Sequence, residues 1–73
     1  LSLELINNQI EYLEDEALNG IFGLEFLDLS YNKLRAIRLK KMIYLKELKL
    51  EQNEFEIIEK EYFEDLKSLR KLL

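Results

Sequence analysis

Apolar residues along this chain follow two rhythms. The pairs Leu3-x-Leu5, Leu27-x-Leu29 and Leu48-x-Leu50 have a period of two, which is the spacing of a strand. Around each pair the apolar positions open to every third residue, as in Leu24-x-x-Leu27, Leu45-x-x-Leu48 and Leu69-x-x-Leu72. An amphipathic helix would keep spacings of three and four throughout. The pattern therefore predicts short strands at 3–5, 27–29 and 48–50 with their Leu side chains turned inward.

An Asn follows the second Leu of each pair at the same distance. The chain opens with Leu3-x-Leu5-x-x-Asn8-x-Ile10-x-x-Leu13. It continues with Leu24-x-x-Leu27-x-Leu29-x-x-Asn32-x-Leu34-x-x-Ile37, then Leu45-x-x-Leu48-x-Leu50-x-x-Asn53-x-Phe55-x-x-Ile58. Asn8 to Asn32 is 24 residues, Asn32 to Asn53 is 21, and Leu48 to Leu72 is again 24. Self-similarity at such a period marks a repeat architecture. The copies run over approximately 1–23, 24–44 and 45–68, with a fourth beginning at 69–73.

Stacking such copies puts equivalent strands side by side as a parallel sheet, about 4.8 Å apart. The Asn falls where the chain leaves the strand. Its short amide can both donate to and accept from backbone groups of its own copy and of the adjacent one, and buried backbone polar groups need such partners. Ile10, Leu34 and Phe55, then Leu13, Ile37 and Ile58, are expected to line the next side of the core. In the returning half, Leu18 and Phe63 share one inward slot, and Ile21 and Leu66 another, on a short helix or helical turn. The second copy is three residues shorter there, so it is expected to lack the helical turn, with Met42 filling the Ile21/Leu66 slot.

The recurring LxxLxLxxNxL pattern, which covers the whole chain, resembles the leucine-rich-repeat family. The resemblance implies an α/β fold: a right-handed β-α solenoid, here a horseshoe fragment, with a parallel sheet on the concave face and short helices or helical turns on the convex face. The 24-residue copies, with Phe63-Glu64-Asp65-Leu66 as a good match and Gly20-Ile21 a looser one, are similar to the "typical" extracellular subclass of animal members. The Pro-free style, rich in Lys, Glu and Ile, is similar to that of insect members. The pattern is running at Leu1 and still running at Leu73, so residues 1–73 are expected to be one fragment of a longer protein, uncapped at both ends.

Composition narrows the chemistry. Hydrophobic residues make up 48% and charged residues 36%, a mixture richer in Leu and Ile than a disordered chain. The net charge of −4 argues against nucleic acid or anionic lipid as a partner. The absence of Cys and His removes thiolate chemistry, His-assisted nucleophiles and ordinary zinc sites. No apolar run is long enough to span a bilayer. No cofactor, metal or catalytic residue is expected.

The resemblance implies protein recognition through the outward positions of the sheet. Counting along each strand gives four columns: Ser2, Phe26, Glu47 and Lys71; Glu4, Asp28, Lys49 and Leu73; Ile6, Ser30 and Glu51; and Asn7, Tyr31 and Gln52. Large groups in these positions are the informative ones, because aromatic side chains are over-represented at binding hot spots. The candidate partner-binding set is Phe26, Asp28, Tyr31, Ile6, Glu47, Lys49 and Gln52. The plainer alternative is that they are ordinary exposed residues, or that Phe26 and Ile6 pack across adjacent strands.

Past the Asn, equivalent positions read Glu11, Arg35, Glu56 and then Glu14, Arg38, Glu59. They are expected to align as acid–base–acid ladders between copies, in preference to a basic patch of Arg35, Arg38, Lys40 and Lys41. The acidic runs 14–16 and 59–65 read as solvated faces, lacking the turn Gly of a calcium loop.

The function implied is a non-catalytic protein–protein recognition module of an extracellular receptor ectodomain or secreted innate-immunity protein. Two alternatives stay open: an intracellular (cytoplasmic) scaffold or regulatory subunit, to which the 21-residue copy lends some weight, and a substrate-targeting segment of a multidomain enzyme. Another protein is the expected partner, and self-association of the uncapped ends stays open beside it.

Overall fold

The computed structural model describes residues 1–13, 18, 21, 23–39, 41–56 and 63–73. Four short parallel strands form one sheet in sequence order: β1 (Ser2–Glu4), β3 (Phe26–Asp28), β5 (Glu47–Lys49) and β6 (Lys71–Leu72). Two more, β2 (Tyr12–Leu13) and β4 (Ala36–Ile37), pair as a second parallel sheet. Leu3, Leu27, Leu48 and Leu72 stand in one register line, and Ser2, Phe26, Glu47 and Lys71 in the next. The third line is Glu4, Asp28 and Lys49. The 24-, 21- and 24-residue spacings are thus the register of the sheet.

Pairing runs past the strand ends. Asn7 N–H donates to Ser30 O at 3.1 Å and Tyr31 N–H to Glu51 O at 2.8 Å. On the second side, Lys33 N–H reaches Ile10 O at 2.9 Å and Glu54 N–H reaches Leu34 O at 2.9 Å. Adjacent copies are therefore joined by backbone bonds on both sides of the corner.

At the corner the asparagines complete the backbone pairing. The Asn32 amide nitrogen donates to Leu29 O (2.8 Å) and Ser30 O (3.2 Å) in its own copy and to Leu5 O (2.9 Å) in the preceding one. Its Oδ1 accepts from Asn8 N–H at 2.9 Å and Ile10 N–H at 3.1 Å. Asn53 repeats the arrangement one copy later, donating to Leu50 O (3.0 Å) and Leu29 O (3.0 Å) and accepting from Leu34 N–H (3.0 Å). Asn8, exposed at the first copy, keeps a local bond to Ile6 O at 3.2 Å.

The residue before each of these asparagines adopts a positive φ: Asn7 at 59°, Tyr31 at 58° and Gln52 at 57°. A left-handed residue there turns the chain off the strand. It costs a side-chain-bearing residue roughly 1–2 kcal/mol, and a bulky residue such as Tyr rarely adopts it.

The core lies in the middle of the stack. Leu24, Leu27, Leu29, Leu34, Ile37, Met42, Leu45 and Leu48 are all fully or almost fully buried. Leu3, Leu5, Ile10 and Leu13 of the first copy are only half-buried, and Leu72 is 48% exposed. A copy is covered completely only where another stands on each side of it. Ile58, expected to join this core, lies outside the described residues.

Of the short helices or helical turns expected in the returning halves, no α-helix forms among the described residues, and single turns are found instead. Ile21 N–H bonds Leu18 O, and Leu24 N–H bonds Ile21 O, both at 3.2 Å; Leu66–Phe63 and Leu69–Leu66 repeat the pair at 3.1 and 3.3 Å. The reason is in the spacing. Leu18, Ile21 and Leu24 fall three apart, which suits three-residue turns better than the 3.6-residue period of an α-helix. Among the described residues the shorter second copy shows the later turn alone, Leu45 to Met42 at 3.2 Å. Met42, 1% exposed, fills the slot of Ile21 and Leu66, and Leu39, 4% exposed, falls at the Leu18/Phe63 position. The missing three residues therefore come before Leu39.

Candidate binding face

Alternation along the strands sends Ser2, Glu4, Phe26, Asp28, Glu47 and Lys49 to the face opposite the buried Leu line. Phe26 is 44% exposed, while Asp28, Glu47 and Lys49 are half-buried. These four line a shallow depression with Ser2 and Glu4, of about 70 Å³. Small-molecule sites run to about 300–1,000 Å³. A depression of this size suits one side chain of a larger partner.

The charges inside it are arranged in a grid. Glu4, Asp28 and Lys49 follow one another across three strands, and Glu47 stands two residues before Lys49 on the same face. Lys49 Nζ turns to Glu47 Oε2 at 3.7 Å, and Asp28 Oδ1 accepts from Ser30 N–H at 3.0 Å. On the next register line, Lys46 Nζ meets Glu25 Oε1 at 3.3 Å.

The other three candidates are placed apart from the depression. Ile6 (42% exposed), Tyr31 (57%) and Gln52 lie beyond the strand ends, toward the asparagine corner. Their columns are intact, but Ser30 departs from the expectation of an outward residue: it is only 4% exposed, and its hydroxyl has no hydrogen-bond partner. The larger Ile6 and Glu51 flank this short side chain in the same column, which accounts for its burial.

Ser2 and Glu4 were not among the candidates, although they line the depression. The signal was available, since Ser2 shares a column with Phe26 and Glu4 with Asp28; the weight placed on large side chains hid it.

The side ladder is not seen in its expected form. Arg35 N–H donates to Glu11 O at 3.3 Å, but no ion pair joins Arg35 to Glu11 or Glu56 among the described residues. Glu14, Glu59 and Lys40 lie outside the described residues, and Arg38 has an interaction of its own. Of the two acidic runs, only Phe63, Glu64 and Asp65 are described; Asp65 Oδ2 accepts from Lys41 N–H at 3.0 Å.

Among the described residues no group of three or more acidic side chains could hold a metal ion, and no helix is long and apolar enough to cross a membrane. No family model matches the chain, and no solved structure matches it.

Proposed function

We propose that this chain is a stretch of leucine-rich-repeat solenoid and works as a non-catalytic protein-recognition module, its sheet face presenting the contact surface. The observation that carries this reading is the recurrence of one corner. The side-chain amides of Asn32 and Asn53 donate to equivalent carbonyls, in their own strand and in the preceding copy, and the residue before each has the same left-handed backbone. A stack held this way can vary its outward positions without disturbing the core, as a recognition surface requires. The resemblance stands on these residues and their geometry.

On this reading the protein is of the extracellular receptor or secreted immune type. The 21-residue middle copy favours an intracellular scaffold as the second reading. The chain contains neither His nor Cys, and an activity assay on it is expected to be blank.

The test is affinity capture with the chain and with its Phe26→Ala/Tyr31→Ala double variant, quantified by mass spectrometry. A partner retained by the chain and lost by the variant supports the reading. Undiminished capture by the variant discards this face as the contact surface.

A further inference from the structure

The geometry points to a seat for one arginine: we propose that the depression around Phe26 takes the guanidinium of an Arg side chain presented by a partner protein. The proposal rests on the protein-binding reading above and specifies what that face selects.

Three observations converge. Glu4 and Asp28 stand in register on adjacent parallel strands, on the same face. Like charges directly opposite across a strand pair destabilise it, so a cation arriving between them relieves a repulsion already present. No base of the chain does so among the described residues. Lys49, next in register, gives its Nζ to Glu47, and Lys46 gives its own to Glu25.

The second observation is the ring beside these carboxylates. Phe26 is two residues from Asp28 on the same strand face and one strand across from Ser2, diagonal to Glu4. It remains 44% exposed in a position where it has no aromatic partner in register. A ring face attracts a cation, and a guanidinium can stack on it while its planar fork meets carboxylates at its edge.

The third is size and sign. The depression, about 70 Å³, holds one side-chain head and not a metabolite. Glu4, Asp28 and Glu47 outnumber Lys49 around it, so it disfavours an acidic side chain. Asp28 keeps one oxygen on Ser30 N–H, which fixes the carboxylate and leaves the other oxygen to accept. Arg fits better than Lys, because two carboxylates in adjacent register match a fork and not a point charge.

The experiment is a ¹⁵N-NMR titration of the chain with the peptide acetyl-Gly-Gly-Arg-Gly-Gly-amide, and with the same peptide carrying citrulline, which keeps the shape and loses the charge. The expected result is weak, saturable binding of the Arg peptide with shifts at 2–4, 26–28 and 47–49, about ten-fold tighter than the citrulline peptide and lost at about 0.5 M salt. Asp28→Asn and Glu4→Gln should each weaken it several-fold, while Glu54→Gln, an exposed acid off this face, should not. Equal binding of the two peptides at these strands overturns the arginine seat and leaves the protein-binding reading standing. Shifts scattered over acidic positions, or an Arg peptide that does not bind, overturn it as well. The peptide and salt comparisons need no variant, so they decide the matter even if a substitution unfolds the chain.

Discussion

The side-chain amide of Asn53 donates to the carbonyl of Leu29 at 3.0 Å, crossing from one copy to the one before it. The same carbonyl accepts from Asn32 at 2.8 Å, from within its own copy. Both acceptor positions of one buried carbonyl are thus filled by equivalent side chains of consecutive copies, and the join between copies is a hydrogen-bonded one as well as an apolar one.

A ranking of asparagine substitutions follows. Asn32→Ala strips the acceptor from Asn8 and Ile10 N–H and a donor from Leu5 O. At about 1–3 kcal/mol per buried group left unpaired, and with these groups only part-buried, the loss is about 3 kcal/mol. Asn53→Ala should cost about 2 kcal/mol, and Asn8→Ala, which loses only the exposed bond to Ile6 O, less than about 1 kcal/mol. Asn32→Asp should be at least as damaging as the Ala change, because a carboxylate faces carbonyls where a donor is needed. Urea denaturation followed by circular dichroism measures the series; equal effects at all three sites would contradict it.

Leucines of one register line should differ sharply. Leu27 is 1% exposed and Leu48 fully buried, whereas Leu72 is 48% exposed. Leu27→Ala and Leu48→Ala should each cost about 2–5 kcal/mol, a large share of what a chain of this size has, and Leu72→Ala less than about 1 kcal/mol. Thermal melts compare them. A Leu72 variant as unstable as the other two would mean that its side chain is covered in solution.

Tyr31 should invert the usual order of Ala and Gly. In a strand Gly is the weaker choice by roughly 0.5–1 kcal/mol. At φ 58° the cost falls on Ala instead, so Tyr31→Gly should be more stable than Tyr31→Ala by about 1 kcal/mol. At Tyr12, in strand β2, the normal order should hold. Paired denaturation curves at the two sites settle this; the same order at both would remove the backbone argument.

The register was legible because a period of two leaves no freedom. Once Leu3, Leu27, Leu48 and Leu72 are taken as inward, their neighbours must face out, and the columns headed by Ser2 and Glu4 are determined. The corner was legible for a similar reason, since an Asn recurring beside buried backbone has few other uses. Four of the seven candidate contact residues meet at one depression on that account.

Where the reading failed, the cause was a neighbour or a backbone torsion. Ser30 looks like an outward polar residue until Ile6 and Glu51 are set on either side of it. Asn7, Tyr31 and Gln52 all take the left-handed turn, and no glycine stands at these positions to announce it. Of the helix or helical turn open to the returning halves, the described residues show single turns.

The order of apolar and polar positions along the chain was sufficient to determine which residues pair, which face in and where the chain leaves each strand, because these are local periodicities acting on a polymer of fixed geometry. Only the tertiary structure decided how deeply each described residue is buried, which carboxylates among them are left without a cation, and that Lys49 turns to Glu47 and not to Asp28. Those outcomes depend on what stands in the neighbouring copy, some twenty residues away along the chain but one strand spacing away in space.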